Sequence, residues 1–186
     1  MKLGVKIAIV LALTVILGLF WRGLQMDPRA IPSVLLGKPA MPFSGADLMS
    51  GKPVSLAQFK GKVVLVNFWA SWCTECAREH ANLLRLQKQF ADRPGFAMVG
   101  VVYQDKQEDA RAFLEQKGAA YPSILDDKGA IGIDYGVYGV PESFLVDQAG
   151  VIRCKLTGPL VADNWDKVAG RWIPALLAGK ELKSCD

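Results

Sequence analysis

Two cysteines, Cys73 and Cys76, stand at C-x-x-C spacing directly after the apolar run 63–69. Such a run predicts a buried strand, and the residues after Cys76 follow a helical pattern, so the pair should lie where a strand gives way to a helix. The start of a helix offers unpaired N–H groups and a positive dipole end to a thiolate. Because the thiolate is the reactive form of cysteine, this position predicts a pair that makes and breaks disulfides.

Other uses of a C-x-x-C pair fit this sequence less well. No second C-x-x-C or Cys/His pair follows, and His80 would complete only three zinc ligands. Covalent haem attachment needs a histidine directly after the second cysteine, where Ala77 stands. A structural disulfide is the remaining alternative. We favour redox exchange, with Cys73 attacking and Cys76 resolving the mixed disulfide, and expect no metal and no cofactor beyond the pair itself.

The chain around the motif alternates strands and helices. A short strand or hairpin is expected within 47–59, and an irregular helical turn within 127–138. This order predicts an α/β fold whose central sheet is mixed, because the alternating part pairs in parallel and a late hairpin adds antiparallel strands. The longer predicted strands are 62–69, 96–103, 121–126, 142–147 and 151–156, and the predicted helices are 76–91, 107–117 and 162–177.

The N-terminus carries an uncharged apolar run, Ile7–Trp21, which Val5 extends if Lys6 reaches the interface. Its length, about 15–17 residues, is at the short end for a bilayer span. A cleaved signal peptide would end in small residues, whereas this run ends in bulky residues and Arg22, so we favour an uncleaved anchor over a removed signal or a buried helix. Basic residues before the run predict a cytoplasmic N-terminus and a catalytic domain on the periplasmic side of the inner membrane, although Arg22 argues the other way.

Composition divides the chain into three parts. Residues 1–24 are the predicted membrane anchor, 25–42 a proline-containing linker, and 43–186 the folded domain. The anchor holds three basic and no acidic residues, so much of the formal net charge of +4 belongs to it. The rest of the chain is close to neutral and shows no stripe of Lys and Arg, which argues against a nucleic-acid partner.

Two segments resemble a known family. Residues 68–76, FWASWCTEC, resemble the active site of the thioredoxin superfamily. Residues 136–144, GVYGVPESF, match the G-V-x-G-x-P-E-[TS]-F signature of the DsbE/CcmG family, the membrane-tethered thioredoxins of cytochrome c maturation. The Cys-x-x-Glu-His sequence that starts at Cys76 also resembles this family. The similarity covers about residues 35–180 plus the anchor, and it implies a thioredoxin fold preceded by a transmembrane helix.

The resemblance implies roles for residues beside the two cysteines. Pro141 should be a cis-proline that places the Val140 backbone beside Cys73, where an extended substrate chain can pair. An ordinary trans-proline in a turn is the alternative. Glu79 and Glu142 match two acidic residues associated with the active site of the family, and solvated surface charges are the alternative reading of both.

Acidic side chains near Cys73 bear on the direction of electron flow. Glu75, Glu79 and Glu142 carry a charge of the same sign as the thiolate, and such charges disfavour its ionisation. A less stabilised thiolate makes the dithiol a better electron donor. We therefore expect a reductant with a potential nearer about −200 to −270 mV than about −120 mV.

The remaining aromatic residues and the other two cysteines are not assigned a catalytic role. Trp72 is expected to contribute to substrate contact and Trp69 to pack. For the single histidine, His80, we favour packing or bonding at the helix surface over a role as general base. Cys154 and Cys185 lie outside the motif. In an oxidising compartment they could pair, or Cys154 could be buried and Cys185 free, and the sequence does not decide between these arrangements.

Taken together, the resemblance implies a thiol:disulfide oxidoreductase that reduces apocytochrome c, or a maturation factor that carries it. Electrons would come from a membrane thiol reductase of the DsbD or CcdA type. Two alternatives stay open at this point. One is a related tethered reductant of the TlpA or ResA kind with another client, and the other is a thioredoxin-like module that binds an assembly partner without turnover.

Overall fold

The computed structural model describes residues 3–24, 34–180, 182 and 185. The chain divides between residues 32 and 33 into two units. The first unit contains one helix, α1 (Leu3–Leu24), which is longer than the predicted run and has no buried residue. Its 22 residues are long and apolar enough to cross a membrane, since a helix of that length spans about 33 Å and a bilayer core is about 30 Å thick.

The second unit alternates strands and helices as predicted. It begins with two short strands, β1 (Ser44–Ala46) and β2 (Pro53–Ser55), and a 3-10 helix at Leu56–Phe59. The other elements in chain order are β3 (Val63–Trp69), α2 (Thr74–Gln89), β4 (Phe96–Tyr103), α3 (Gln107–Lys117), β5 (Ser123–Asp126), α4 (Ala130–Asp134), β6 (Glu142–Val146), β7 (Ile152–Thr157), α5 (Ala162–Trp165), a π-helical segment (Asp166–Trp172) and α6 (Ile173–Leu177).

Five strands form the predicted mixed sheet, in the order β5-β4-β3-β6-β7. The pairs β3–β4 and β4–β5 are parallel, whereas β6 runs antiparallel to both β3 and β7. The fold class is therefore confirmed. β3 lies at the centre, so it is paired on both edges and its C-terminal end is held in place by both neighbours.

Some helices and strands have bounds that differ from the predicted ones, in two cases next to a proline, which has no backbone N–H. β5 begins only at Ser123, because Pro122 has no N–H to donate to a ladder. The N-terminal hairpin lies slightly earlier than predicted, with β1 starting at Ser44. The predicted C-terminal helix covers the expected residues, but its hydrogen bonding changes to a π pattern before Pro174, which likewise cannot donate a helical bond.

The side chains of β3 alternate between two apolar cores, which explains why this strand is buried along its whole length. Leu65 faces a core formed with α2 and the C-terminal helical segments. Val66 and Phe68 face the opposite core. Principal members of the first core are Leu83, Leu86, Met98, Trp172 and Ile173, and principal members of the second are Val64, Ile124, Tyr135 and Phe144.

The predicted linker, 25–42, lies partly outside the described residues. Within its described part, the Gly37 N–H donates to the Ile152 carbonyl at 2.8 Å, and the Ala40 N–H donates to the Gly150 carbonyl at 2.8 Å. Leu35 and Ala40 also pack against the second core. The packed unit thus includes residues before the predicted boundary at 43.

Cys154 and Cys185 form a disulfide that bridges a sequence separation of 31 residues. Cys154 is buried on β7 within the first core, and the bond attaches residue 185 to that strand. The sequence left open whether Cys154 and Cys185 pair or stay separate, and in the structure they are paired.

Candidate active site

The two motif cysteines lie at the predicted junction of strand and helix. β3 ends at Trp69, and Cys73 is the N-cap residue of α2. The two sulfurs are bonded, and the Cys73 Sγ also accepts a hydrogen bond from the Cys76 N–H at 3.0 Å. After reduction, the same N–H would point at the Cys73 thiolate, and a charge-assisted bond of this kind is stronger than a neutral one. The helix start therefore favours the thiolate form of Cys73.

The loop before β6 faces Cys73. The Val140–Pro141 peptide bond is cis, as the resemblance implied. The Val140 carbonyl oxygen lies 3.5 Å from the Cys73 Sγ, so the Val140 backbone is beside the attacking sulfur. Both Cys73 and Cys76 are largely buried against Trp69 and neighbouring apolar side chains. Val140 packs against the same apolar cluster, so the loop and the cysteine pair are in direct contact.

Glu79 is completely buried and belongs to a polar network behind the disulfide. Its Oε1 accepts a hydrogen bond from the Asn67 amide at 3.0 Å, and its Oε2 accepts one from the Leu160 N–H at 2.8 Å. The same Asn67 amide nitrogen donates to the Ser143 Oγ at 3.0 Å. Burial raises the pKa of Glu79 to about 7, although the bonds from Leu160 and Asn67 act in the opposite direction. The alternative reading of Glu79 as a solvated charge is wrong.

Glu142 is also buried, so the solvated reading is wrong here too. Its Oε2 lies 2.9 Å from the Nζ of Lys155, whose side chain is only 7% exposed. Burial raises the pKa of Glu142, while the hydrogen bond and charge of Lys155 and a backbone bond from Tyr138 partly oppose that rise. Both carboxyl groups that the family motif singled out thus lie inside the protein with specific partners.

Glu75 is more exposed than these two residues and is paired with a cation. Its carboxylate accepts two bonds from the Arg78 guanidinium, at 2.9 and 2.7 Å. This pairing offsets part of the Glu75 charge, and Glu79 is partly protonated near neutral pH. The two residues therefore oppose the Cys73 thiolate less than their formal charges suggest, and the low reduction potential stays a prediction.

The aromatic residues around the motif divide as expected. Trp72 is 60% exposed, and its Nε1 donates to the Gln104 carbonyl at 3.2 Å, so one face of its ring is open beside Cys73. Trp69 is buried, and its ring centroid lies 5.0 Å from that of Phe113. His80 is buried beside Phe113 with its Nε2 2.8 Å from the Gly118 carbonyl oxygen, and burial lowers the pKa of His80. The packing role predicted for His80 is confirmed.

Asp105 holds the active-site loop and was not singled out from the sequence. Its Oδ2 accepts from the Ser71 N–H at 2.6 Å, and its Oδ1 accepts from the Ser71 Oγ at 3.1 Å. Gln104, which anchors Trp72, has a left-handed backbone with a φ of 48°. The sequence did offer a signal for Asp105, because it follows closely after the end of β4. The carboxyl ends of parallel strands lie at one edge of a sheet, where the functional loops are also found.

Comparison with known proteins agrees with this geometry. Residues 35–168 match the Redoxin family. The chain is 42% identical to the thiol:disulfide interchange protein DsbE of Allochromatium vinosum, over 87% of this chain and 86% of that protein. It is 41% identical to the thiol:disulfide interchange protein HelX of Rhodobacter capsulatus, over 83% of this chain and 84% of that one. The chain belongs to the DsbE family within the Redoxin proteins.

A solved structure of a thioredoxin-family protein shows the same fold. The crystal structure of a thiol:disulfide interchange protein of the thioredoxin family from Chlorobium tepidum aligns with a TM-score of 0.64 at 29% identity, over 82% of this chain and 99% of that chain. The fold is therefore thioredoxin-like, and the chain is a thiol:disulfide oxidoreductase whose Cys73–Cys76 pair is at bonding distance.

The raised pKa of Glu79 predicts a pH-dependent stability that Glu79→Gln removes. Between its ordinary value of 4.5 and about 7, the carboxyl keeps its proton in the folded chain and loses it in the unfolded chain. The free energy of unfolding should therefore fall as the pH rises through this window and level off above it. At about 1.36 kcal/mol per pKa unit, the free energy of unfolding of the wild type should fall across this window by about 3 kcal/mol more than that of the variant. Denaturant unfolding of the full chain in detergent, from pH 4.5 to 8, measures the difference, and parallel pH profiles would contradict it.

Removal of the Asp105 carboxylate should loosen the loop that carries Trp72. Asp105→Ala leaves the Ser71 N–H without its acceptor, so we expect a loss of about 1–3 kcal/mol in the free energy of unfolding and slower disulfide reduction. The control is Asp127→Ala, which removes an exposed aspartate and should change stability by less than about 0.5 kcal/mol. Denaturant titration and an insulin reduction assay measure the two effects. Equal behaviour of the two variants would show that Asp105 does not hold the loop.

Proposed function

We propose that this oxidoreductase reduces disulfides in client polypeptides during cytochrome c maturation. The client would be the haem-binding C-x-x-C-H segment of apocytochrome c, or a maturation factor that carries the apoprotein. The contact between the Cys73 Sγ and the Val140 carbonyl oxygen at 3.5 Å carries this proposal, since it puts the backbone with which a client would pair beside the reactive sulfur. The DsbE signature at 136–144 supports the choice of client.

The proposed cycle moves two electrons from the enzyme to the client. The Cys73 thiolate attacks one client sulfur, which breaks the client S–S bond, forms a mixed disulfide with Cys73 and releases the other client sulfur as a thiolate that takes up a proton. Cys76 then loses its proton and attacks the Cys73 Sγ. This step forms the Cys73–Cys76 disulfide and releases the second client thiolate, which is also protonated. The client leaves as a dithiol and the enzyme is oxidised.

The enzyme must then be reduced again. We propose that a membrane thiol reductase of the DsbD or CcdA type donates the electrons by the reverse exchange. Both electrons of each step reside in the Cys73–Cys76 dithiol, so the cycle needs no metal, flavin or nucleotide. Electron flow from the enzyme to the client requires a dithiol that gives up electrons readily, which agrees with the low reduction potential predicted above.

We propose that α1 anchors the protein in the inner membrane and that the oxidoreductase unit lies on the periplasmic side. Lys2 and Lys6 near the start of the chain support this orientation. Protease added to spheroplasts should therefore degrade the oxidoreductase unit while a cytoplasmic control protein survives. Protection of the unit until the membrane is lysed would contradict this topology.

The client is identified by capturing the mixed disulfide. Cys76→Ala removes the resolving thiol, so a client attacked by Cys73 should stay covalently bound. Captured proteins are released by dithiothreitol and identified by mass spectrometry. We expect apocytochromes c or cytochrome maturation factors, and the matched variant Cys73→Ala should capture far less. Captured proteins of other kinds would contradict the proposed client while leaving the oxidoreductase activity intact.

A further inference from the structure

Lys155 occupies an unusual position for a lysine. It lies on β7 opposite Phe144, its side chain is only 7% exposed, and its Nζ lies 2.9 Å from the Glu142 carboxylate on the neighbouring strand. Removing an ammonium from water costs several kcal/mol, so a buried lysine requires partners that hold it in one geometry.

The other contacts of Lys155 reach the loop before the cis-proline. Its Nζ lies 3.3 Å from the Gly136 carbonyl oxygen and 4.5 Å from the centroid of the Tyr138 ring. Its ion-pair partner Glu142 begins β6, directly after the cis-proline Pro141. Lys155 therefore contacts the segment 136–138 at a carbonyl and at an aromatic ring. The ion pair with Glu142 is buried, whereas Gly136 and Tyr138 lie at the surface. Charge-assisted bonds are stronger than neutral ones.

We propose that Lys155 is a positioning residue that fixes the segment 136–141, and with it the Val140 carbonyl, for pairing with an extended client chain. This inference rests on the proposed function, because it concerns the edge at which the client would bind. Val140 follows the held segment by two residues and Pro141 limits the conformations of the backbone behind it. A fixed edge reduces the entropy lost when a client pairs with it.

Three variants separate positioning from general stability. Lys155→Met keeps an apolar side chain of similar length and removes the ammonium. The double variant Glu142→Gln with Lys155→Met also removes the carboxylate that the single change leaves buried and unpaired, so it should recover stability without restoring the contacts to Gly136 and Tyr138. Arg153→Met is the matched control, because Arg153 forms an ion pair with Asp147 at 2.6 Å at the other end of the same hairpin.

The first readout is the order of the loop in the full chain in detergent. Hydrogen exchange of the backbone amides at 137–140 should become about tenfold faster in Lys155→Met and in the double variant. In Arg153→Met it should stay as in wild type. Unchanged exchange in both Lys155 variants would overturn the inference, whatever the client proves to be.

The second readout is turnover with two disulfide probes. With an oxidised peptide containing C-x-x-C-H, the Lys155 variants should show a KM raised about tenfold and little change in kcat. With a small aromatic disulfide, which cannot pair with the Val140 edge, their loss of kcat/KM should be several-fold smaller than with the peptide. Equal losses with both probes would overturn the inference. A wild-type enzyme that reduces the small probe and not the peptide would overturn the proposed client, and the exchange experiment would still decide the role of Lys155.

Discussion

The hydrogen bond from the Cys76 N–H to the Cys73 Sγ is the interaction on which the site depends. It exists because a strand buried on both faces stops at Trp69 and a helix starts at Thr74. β3 is paired along both edges, so its end cannot shift without disturbing the sheet. The position of the reactive sulfur is therefore set by the central strand of the sheet, while the groups around it are supplied by loops from neighbouring strands.

Those loops are held by polar contacts in addition to apolar packing. Asp105 binds the backbone before Trp72, and the Lys155–Glu142 pair binds the backbone before Val140. A buried charge without partners would destabilise the fold, so each carboxyl group must keep the geometry that satisfies it. Such contacts are directional, whereas apolar contacts allow a loop to slide. Polar anchoring is thus suited to a site where two backbone segments must meet one sulfur atom.

The sequence predicted the elements well where the signal was local. The apolar run of β4 and the helix of α3 that ends before Gly118 have the predicted bounds. It could not predict that Glu79 and Glu142 are buried, because their partners are distant in the chain. The Leu160 N–H that binds Glu79 is 81 residues away. Charge in a sequence indicates exposure on average, and only the folded chain shows which carboxyl groups have found donors.

The same distinction applies to the direction of electron flow. Formal charges near Cys73 suggest a thiolate disfavoured by three carboxylates, but the structure assigns each of them a different effect. Arg78 offsets the charge of Glu75, and Lys155 offsets that of Glu142. Glu79 alone lacks a cationic partner among the described residues, and its pKa of about 7 makes its charge depend on pH near neutrality. Because Glu79 follows Cys76 by three residues on α2, its ionisation disfavours a second negative charge at this junction. Reducing character from acidic side chains should therefore come mainly from Glu79, and it should strengthen as the pH rises through 7.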